Sequence, residues 1–127
     1  ILIYDQFCNF EIAPALEMLA MAEKPITIFA KTLSRIRSED GLTVIPEKSI
    51  DELNLNEYDS LLLPGAIDIR EAIEDNAILD FIKKFDGMPI GAIYCPVAFI
   101  ESRTIGGQAI YGRCQSGGLI RGGLYNR

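Results

Sequence analysis

The chain has 127 residues, 49% of them hydrophobic, which suffices for one buried core and is short for two, so one domain spanning 1–127, itself incomplete, is expected. Eighteen acidic against twelve basic residues leave a net charge of -6, a field that repels phosphate backbones and anionic lipid and excludes nucleic-acid and membrane partners. Histidine is absent, and Cys8, Cys95 and Cys114 are odd in number with no CxxC pair, so neither a metal site, a disulfide framework nor a cofactor is expected.

Residues 1–4 form a short apolar run ending at Asp5, the pattern of a central parallel strand buried on both faces. Helical spacing follows over 12–22, with Pro14 tolerated because it falls in the first turn. Pro25 opens a second strand over 26–30, rich in β-branched residues. Around Glu39-Asp40-Gly41 the pattern becomes that of a hairpin, since Asp-Gly is a tight-turn signal. A short helical turn is expected over 51–55. The string YDSLLLPGA from Tyr58 reads as a further buried strand running into a glycine turn.

Residues 69–73 and 77–85 carry helical spacing, interrupted at Asp75-Asn76, where Asn76 is the expected N-cap. Gly87 ends that helix and residues 89–93 make the last strand. Strands alternating with helices predict an α/β fold, a parallel sheet with helices on both faces and its sites at the carboxyl ends of the strands. Beyond Tyr94 the periodicity fails. Gly106, Gly107, Gly112, Gly117, Gly118, Gly122 and Gly123 punctuate a stretch with no sustained period, so 94–127 is expected to be an irregular glycine-rich tail. The chain starts at Ile1 rather than Met, so a trimmed start is expected. With no apolar run near the roughly 20 residues of a membrane span and no signal segment, a cytoplasmic location is expected.

Three strings in this order, ILIYDQFCNFEIAPALEML, YDSLLLPGA and PIGAIYCP, resemble the DJ-1/PfpI family of the class I glutamine amidotransferase-like superfamily. The resemblance covers 1–93. It implies a three-layer, flavodoxin-like parallel sheet, here truncated at the C-terminus, and a homodimer as relatives commonly form. In that family a glutamate after the first strand faces the nucleophile, and Glu11 matches it. From its position alone, Glu11 reads first as a helix-start carboxylate favoured by the dipole, worth about 0.3–1 kcal/mol, and the other two strings turn the reading toward the family role. Gly65 and Ala66 match a glycine turn whose N–H groups form part of an oxyanion hole; an ordinary turn would require Gly65 as well.

The nucleophile position, on the turn after the last strand, aligns with Tyr94. A phenol of pKa near 10 is protonated at neutral pH and is no competent nucleophile. Cys95 is a thiol one residue late, aimed elsewhere by a tight turn, with neither histidine nor a cation to activate it. Cys8 reads as a loop or core thiol. Three functions stay open: a hydrolase, amidase, protease or glyoxalase-type enzyme, impaired as it stands; a non-catalytic binding or stress module for an unidentified small molecule; and an inactive truncated gene product.

The family expects an aliphatic helix after the elbow, and the tail has none. Moving the reading frame of 94–127 by one nucleotide, with permitted codons, returns an aliphatic helix, a glycine cap and a following loop, with serine at the nucleophile position. The tail is therefore expected to be a frameshift product.

Overall fold

A computed structural model describes residues 1–92 and, as backbone, residues 109–111. In chain order the elements are α1 (Asn9–Met21), β1 (Phe29–Ala30), β2 (Ile36–Arg37), β3 (Thr43–Val44), β4 (Lys48–Ser49), a 3-10 turn (Leu55–Glu57), β5 (Leu61–Leu63), α2 (Arg70–Glu74), α3 (Asn76–Lys83), β6 (Ile90–Ala92) and β7 (Ala109–Tyr111).

The parallel sheet is assembled around residues 1–4. The Ile3 N–H donates to the Phe29 carbonyl at 2.9 Å and the Leu2 N–H to that of Leu62 at 3.1 Å, so this segment bonds to β1 on one edge and β5 on the other. β4 pairs in parallel with β1, and β5, β6 and β7 pair in parallel in that order. The sheet therefore runs β4, β1, residues 1–4, β5, β6, β7. Leu2 and Ile3 are both buried, as are Phe29 and Ala30, so the centre is covered on both faces. The connection from residues 1–4 through α1 to β1 and that from β5 through α2 and α3 to β6 cross the sheet in opposite directions. Right-handed crossovers then place α1 on one face and α2 with α3 on the other.

α3 shows the packing most clearly. Its Ile78, Leu79, Phe81 and Ile82 are buried, and the Phe81 ring meets Phe29 and Phe85 edge-on at 5.4 and 5.5 Å. Gly87 follows with φ +84, the left-handed conformation that lets the chain leave the helix and enter β6.

Several local expectations shift. Residues 1–4 carry only an isolated bridge, Leu2 to Phe29, because the backbone turns at Asp5 before a ladder can extend. The strand expected over 26–30 contracts to Phe29–Ala30, since the Ile28 N–H donates to the Glu47 carboxylate at 2.8 Å instead of a strand partner. α1 begins at Asn9, which places Pro14 beyond the first turn and leaves the Phe10 carbonyl without its i+4 donor. The helical turn expected over 51–55 lies at Leu55–Glu57, where Asn54 caps it through the Asn56 N–H. Asp75, not Asn76, caps α3, its carboxylate accepting from Ala77 and Ile78 N–H. Within the tail expected to be irregular, residues 109–111 add β7 to the sheet.

The expected hairpin is present. β2 and β3 pair antiparallel, and Gly41 takes φ +92 in the turn. Ser38, 3% exposed, accepts the Leu42 N–H at 2.8 Å and donates to Asp40. No helix among the described residues is long and apolar enough to cross a membrane.

Candidate functional site

Sequence separation hides the site, which forms where three loops meet at the carboxyl edge of the sheet. The loop after residues 1–4 is stitched to the turn after β5 on one side. Here the Cys8 N–H donates to the Gly65 carbonyl at 2.8 Å and the Ile67 N–H to that of Gln6 at 3.2 Å, framing an antiparallel bridge between Phe7 and Ala66. On its other side the same loop joins the hairpin. The Gln6 N–H donates to the Arg37 carbonyl at 2.7 Å and the Glu39 N–H to that of Phe7 at 3.0 Å. Gln6 takes φ +57, a conformation side chains rarely adopt, and it turns the chain from the sheet into α1.

Glu11 lies in the first turn of α1, and its carboxylate accepts the Gly65 N–H at 2.6 Å. The structure thus brings Glu11, Gly65 and Ala66 together. The N–H expected to face a developing negative charge already serves the Glu11 carboxylate. Burial raises the Glu11 pKa above its ordinary value and nearby Glu39 adds to this, while the bonds from Gly65 and Cys8 pull it back. A carboxyl tuned upward beside a glycine turn is suited to hold or deliver a proton. Beneath it, the buried Tyr4 hydroxyl donates to the Pro64 carbonyl, and burial followed by the Glu11 charge pushes its pKa up, so the phenol stays protonated.

β6 lies against β5 with Ala92 opposite Leu63, so the chain leaves β6 beside the turn that carries Gly65. Tyr94 and Cys95 lie outside the described residues. Cys8 is the free cysteine among those described. Its thiol donates to Glu39 Oε1 at 2.8 Å, and the Asn9 amide donates to Asp40 at 3.1 Å. Sequence reasoning missed Glu39; the Glu-Asp-Gly turn was visible, but its destination was not. Among the described residues no cluster of Cys, Asp and Glu fits a metal ion.

A cavity of about 320 Å3 lies at the opposite, amino edge of the sheet between Ile1, Ile26, Phe29, Tyr58, Leu62 and Phe85. Lys24, Glu57 and Asp59 also line it, but neither Glu11 nor Gly65 does, so it is separate from the site at the carboxyl edge.

Residues 1–106 match the sequence profile of the DJ-1/PfpI family. The chain belongs to the DJ-1/PfpI family. It is 33% identical over 117 residues to protein/nucleic acid deglycase 2 of Escherichia coli (strain K12), a match covering 87% of this chain and 67% of that one. Its fold matches Drosophila melanogaster DJ-1beta with a TM-score of 0.69 at 17% identity, over 79% of this chain and 56% of that one. Schizosaccharomyces pombe DJ-1 matches with 0.67 at 15% identity, over 80% and 60%. The chain therefore spans little more than half of these two solved relatives. The family match extends to residue 106, beyond the three strings that end at the turn after β6.

Proposed function

We propose that this DJ-1/PfpI-family chain forms the family crevice at Glu11, Gly65 and Ala66 and binds a small ligand there without turning it over. The ligand class is a glycated amine, by analogy with the deglycase relative. A net charge of -6 favours an adduct on a small molecule or protein over one on nucleic acid. What supports the reading is Tyr94, which the resemblance aligns with the position after β6 where the family mounts its nucleophile. A phenol there is almost wholly protonated at neutral pH. Cys8, the thiol beside Glu11, does not substitute, because its pKa is pushed up to about 12. The test is release of free amine from a glycated lysine peptide by the wild type and by Tyr94→Cys. The wild type is expected to match the blank and Tyr94→Cys to exceed it. Wild-type turnover abolished by Glu11→Gln would overturn the reading.

A second reading concerns the tail. The glycine-rich composition of 94–127, against the aliphatic helix recovered one nucleotide out of frame, supports a frameshift near codon 94. The family match as far as residue 106 speaks for the frame as written over its first codons. The gene's DNA decides between them.

A further inference from the structure

A helix N-terminus favours the thiolate, because its free N–H groups carry partial positive charge. Cys8 occupies that place on α1: it is the N-cap residue, with extended backbone, and its carbonyl accepts the Glu11 N–H at 3.2 Å. Its side chain is only partly buried, within reach of solutes. By position alone this thiol belongs among the reactive ones. Instead its pKa is pushed up to about 12 by burial, then by the hydrogen bond to Glu39 and the charges of Glu11 and Glu39. These outweigh the backbone N–H of Glu11, which acts the other way.

We propose that Glu39 is a positioning residue for the Cys8 thiol, accepting its S–H at 2.8 Å and so keeping silent a helix-terminal sulfur beside the Glu11–Gly65 pair. Glu39 is delivered by backbone rather than by a chance side-chain encounter. Its own N–H donates to the Phe7 carbonyl, and the next residue, Asp40, accepts from the Asn9 amide, so the hairpin turn grips the chain on both sides of Cys8. Ser38 and Gly41 fix the shape of that turn.

The groups around the thiol come from each adjoining element. α1 supplies Glu11. The hairpin supplies Glu39 and also Asp40, which the bonds from Ser38 and Asn9 keep below the usual carboxylate range. The Arg37 guanidinium lies against Gly41 on the same hairpin. From the central strand comes Tyr4, its hydroxyl committed to Pro64. Neutralising Glu39 removes the one carboxylate that both accepts the S–H and repels the thiolate, leaving only burial and the Glu11 charge to oppose the helix terminus. The inference stands whether or not the crevice turns over a substrate.

The experiment uses the full chain and iodoacetamide, with modification scored on the Cys8 peptide by mass spectrometry so that Cys95 and Cys114 are counted apart. In the reaction the thiolate sulfur bonds to the methylene carbon, the carbon–iodine bond breaks, iodide leaves and the thiol proton passes to buffer. The wild-type rate is expected to rise with pH to a midpoint well above the about 8.5 of a free thiol. Glu39→Gln is expected to lower that midpoint and to speed alkylation at pH 8 by about tenfold or more, since each unit multiplies the thiolate fraction by about ten. Asp40→Asn, on the same turn, should not do so, and Glu39→Asp should restore part of the suppression. A Glu39→Gln rate within about twofold of wild type, with a cooperative melt retained, overturns the proposal. Should that variant fail to fold, Glu39→Asp decides: Cys8 alkylation at pH 8 faster than wild type by more than about twofold upholds the proposal and a rate within about twofold overturns it.

Discussion

The Glu11 carboxylate takes the Gly65 N–H at 2.6 Å across 54 residues of sequence, tying the start of α1 to the turn after β5. A hydrogen bond to a charged group is worth about 1.5–3 kcal/mol, so Glu11→Ala is expected to lower stability by that order in a denaturant melt. Glu11→Gln retains an acceptor and should lie within about 1 kcal/mol of wild type.

The pH dependence of that pair follows from the direction of its shift. Because the folded pKa lies above the ordinary 4.5, the folded protein holds this proton more tightly than the unfolded chain. The resulting stability is fully present below pH 4.5 and is lost as pH rises through the raised value. Melts of wild type and Glu11→Gln across that window should converge at acid pH, with the wild type losing ground above it.

Asp75 behaves in the opposite sense. The Lys31 ammonium at 2.5 Å, aided by the α3 N–H groups, holds its pKa below the ordinary 3.8. Its contribution is present above pH 3.8 and lost as pH falls through the folded value. Asp75→Ala should cost about 1 kcal/mol through the lost cap, read as a fall in Tm at neutral pH that shrinks in acid. Lys31→Met should cost less, since an exposed ion pair contributes about 0–1 kcal/mol.

Gln6, at φ +57, carries a strained backbone that glycine adopts freely. The strain relieved, about 1–2 kcal/mol, exceeds the added chain entropy of glycine, about 0.4–1 kcal/mol. Gln6→Gly is therefore expected to raise the melting midpoint, and a lower midpoint would show that the Gln6 side chain contributes more than the strain costs.

Codons 90–100 of the gene make the last prediction. Under the frameshift reading they place serine after β6 and open an aliphatic helix when read one nucleotide out of register from codon 94. Codons that cannot encode that peptide exclude the frameshift.

The sequence displayed the sheet because central parallel strands are apolar on both faces, and runs such as Leu61-Leu62-Leu63 admit few other readings. Glu11 and Gly65 were paired through the family strings, not through periodicity. Element ends were less legible for local reasons. Asp75 and Asn76 are adjacent and both suit a cap, and only the geometry shows which side chain reaches the Ala77 N–H. The Ile28 N–H was diverted by Glu47, a competition no propensity records. Glu39 escaped notice because a hairpin's turn can be read locally while its docking partner, 31 residues away, cannot.

The Tyr4 hydroxyl and the Pro64 carbonyl, 60 residues apart, flank the middle of the sheet. Closing a loop of that size costs about 3–4 kcal/mol of entropy before any contact repays it. Until it closes, the edge of this apolar strand that meets β5 is bare, open to whatever neighbouring chain arrives first. The strand that organises the finished molecule is therefore also the one most exposed to misassociation before that loop closes.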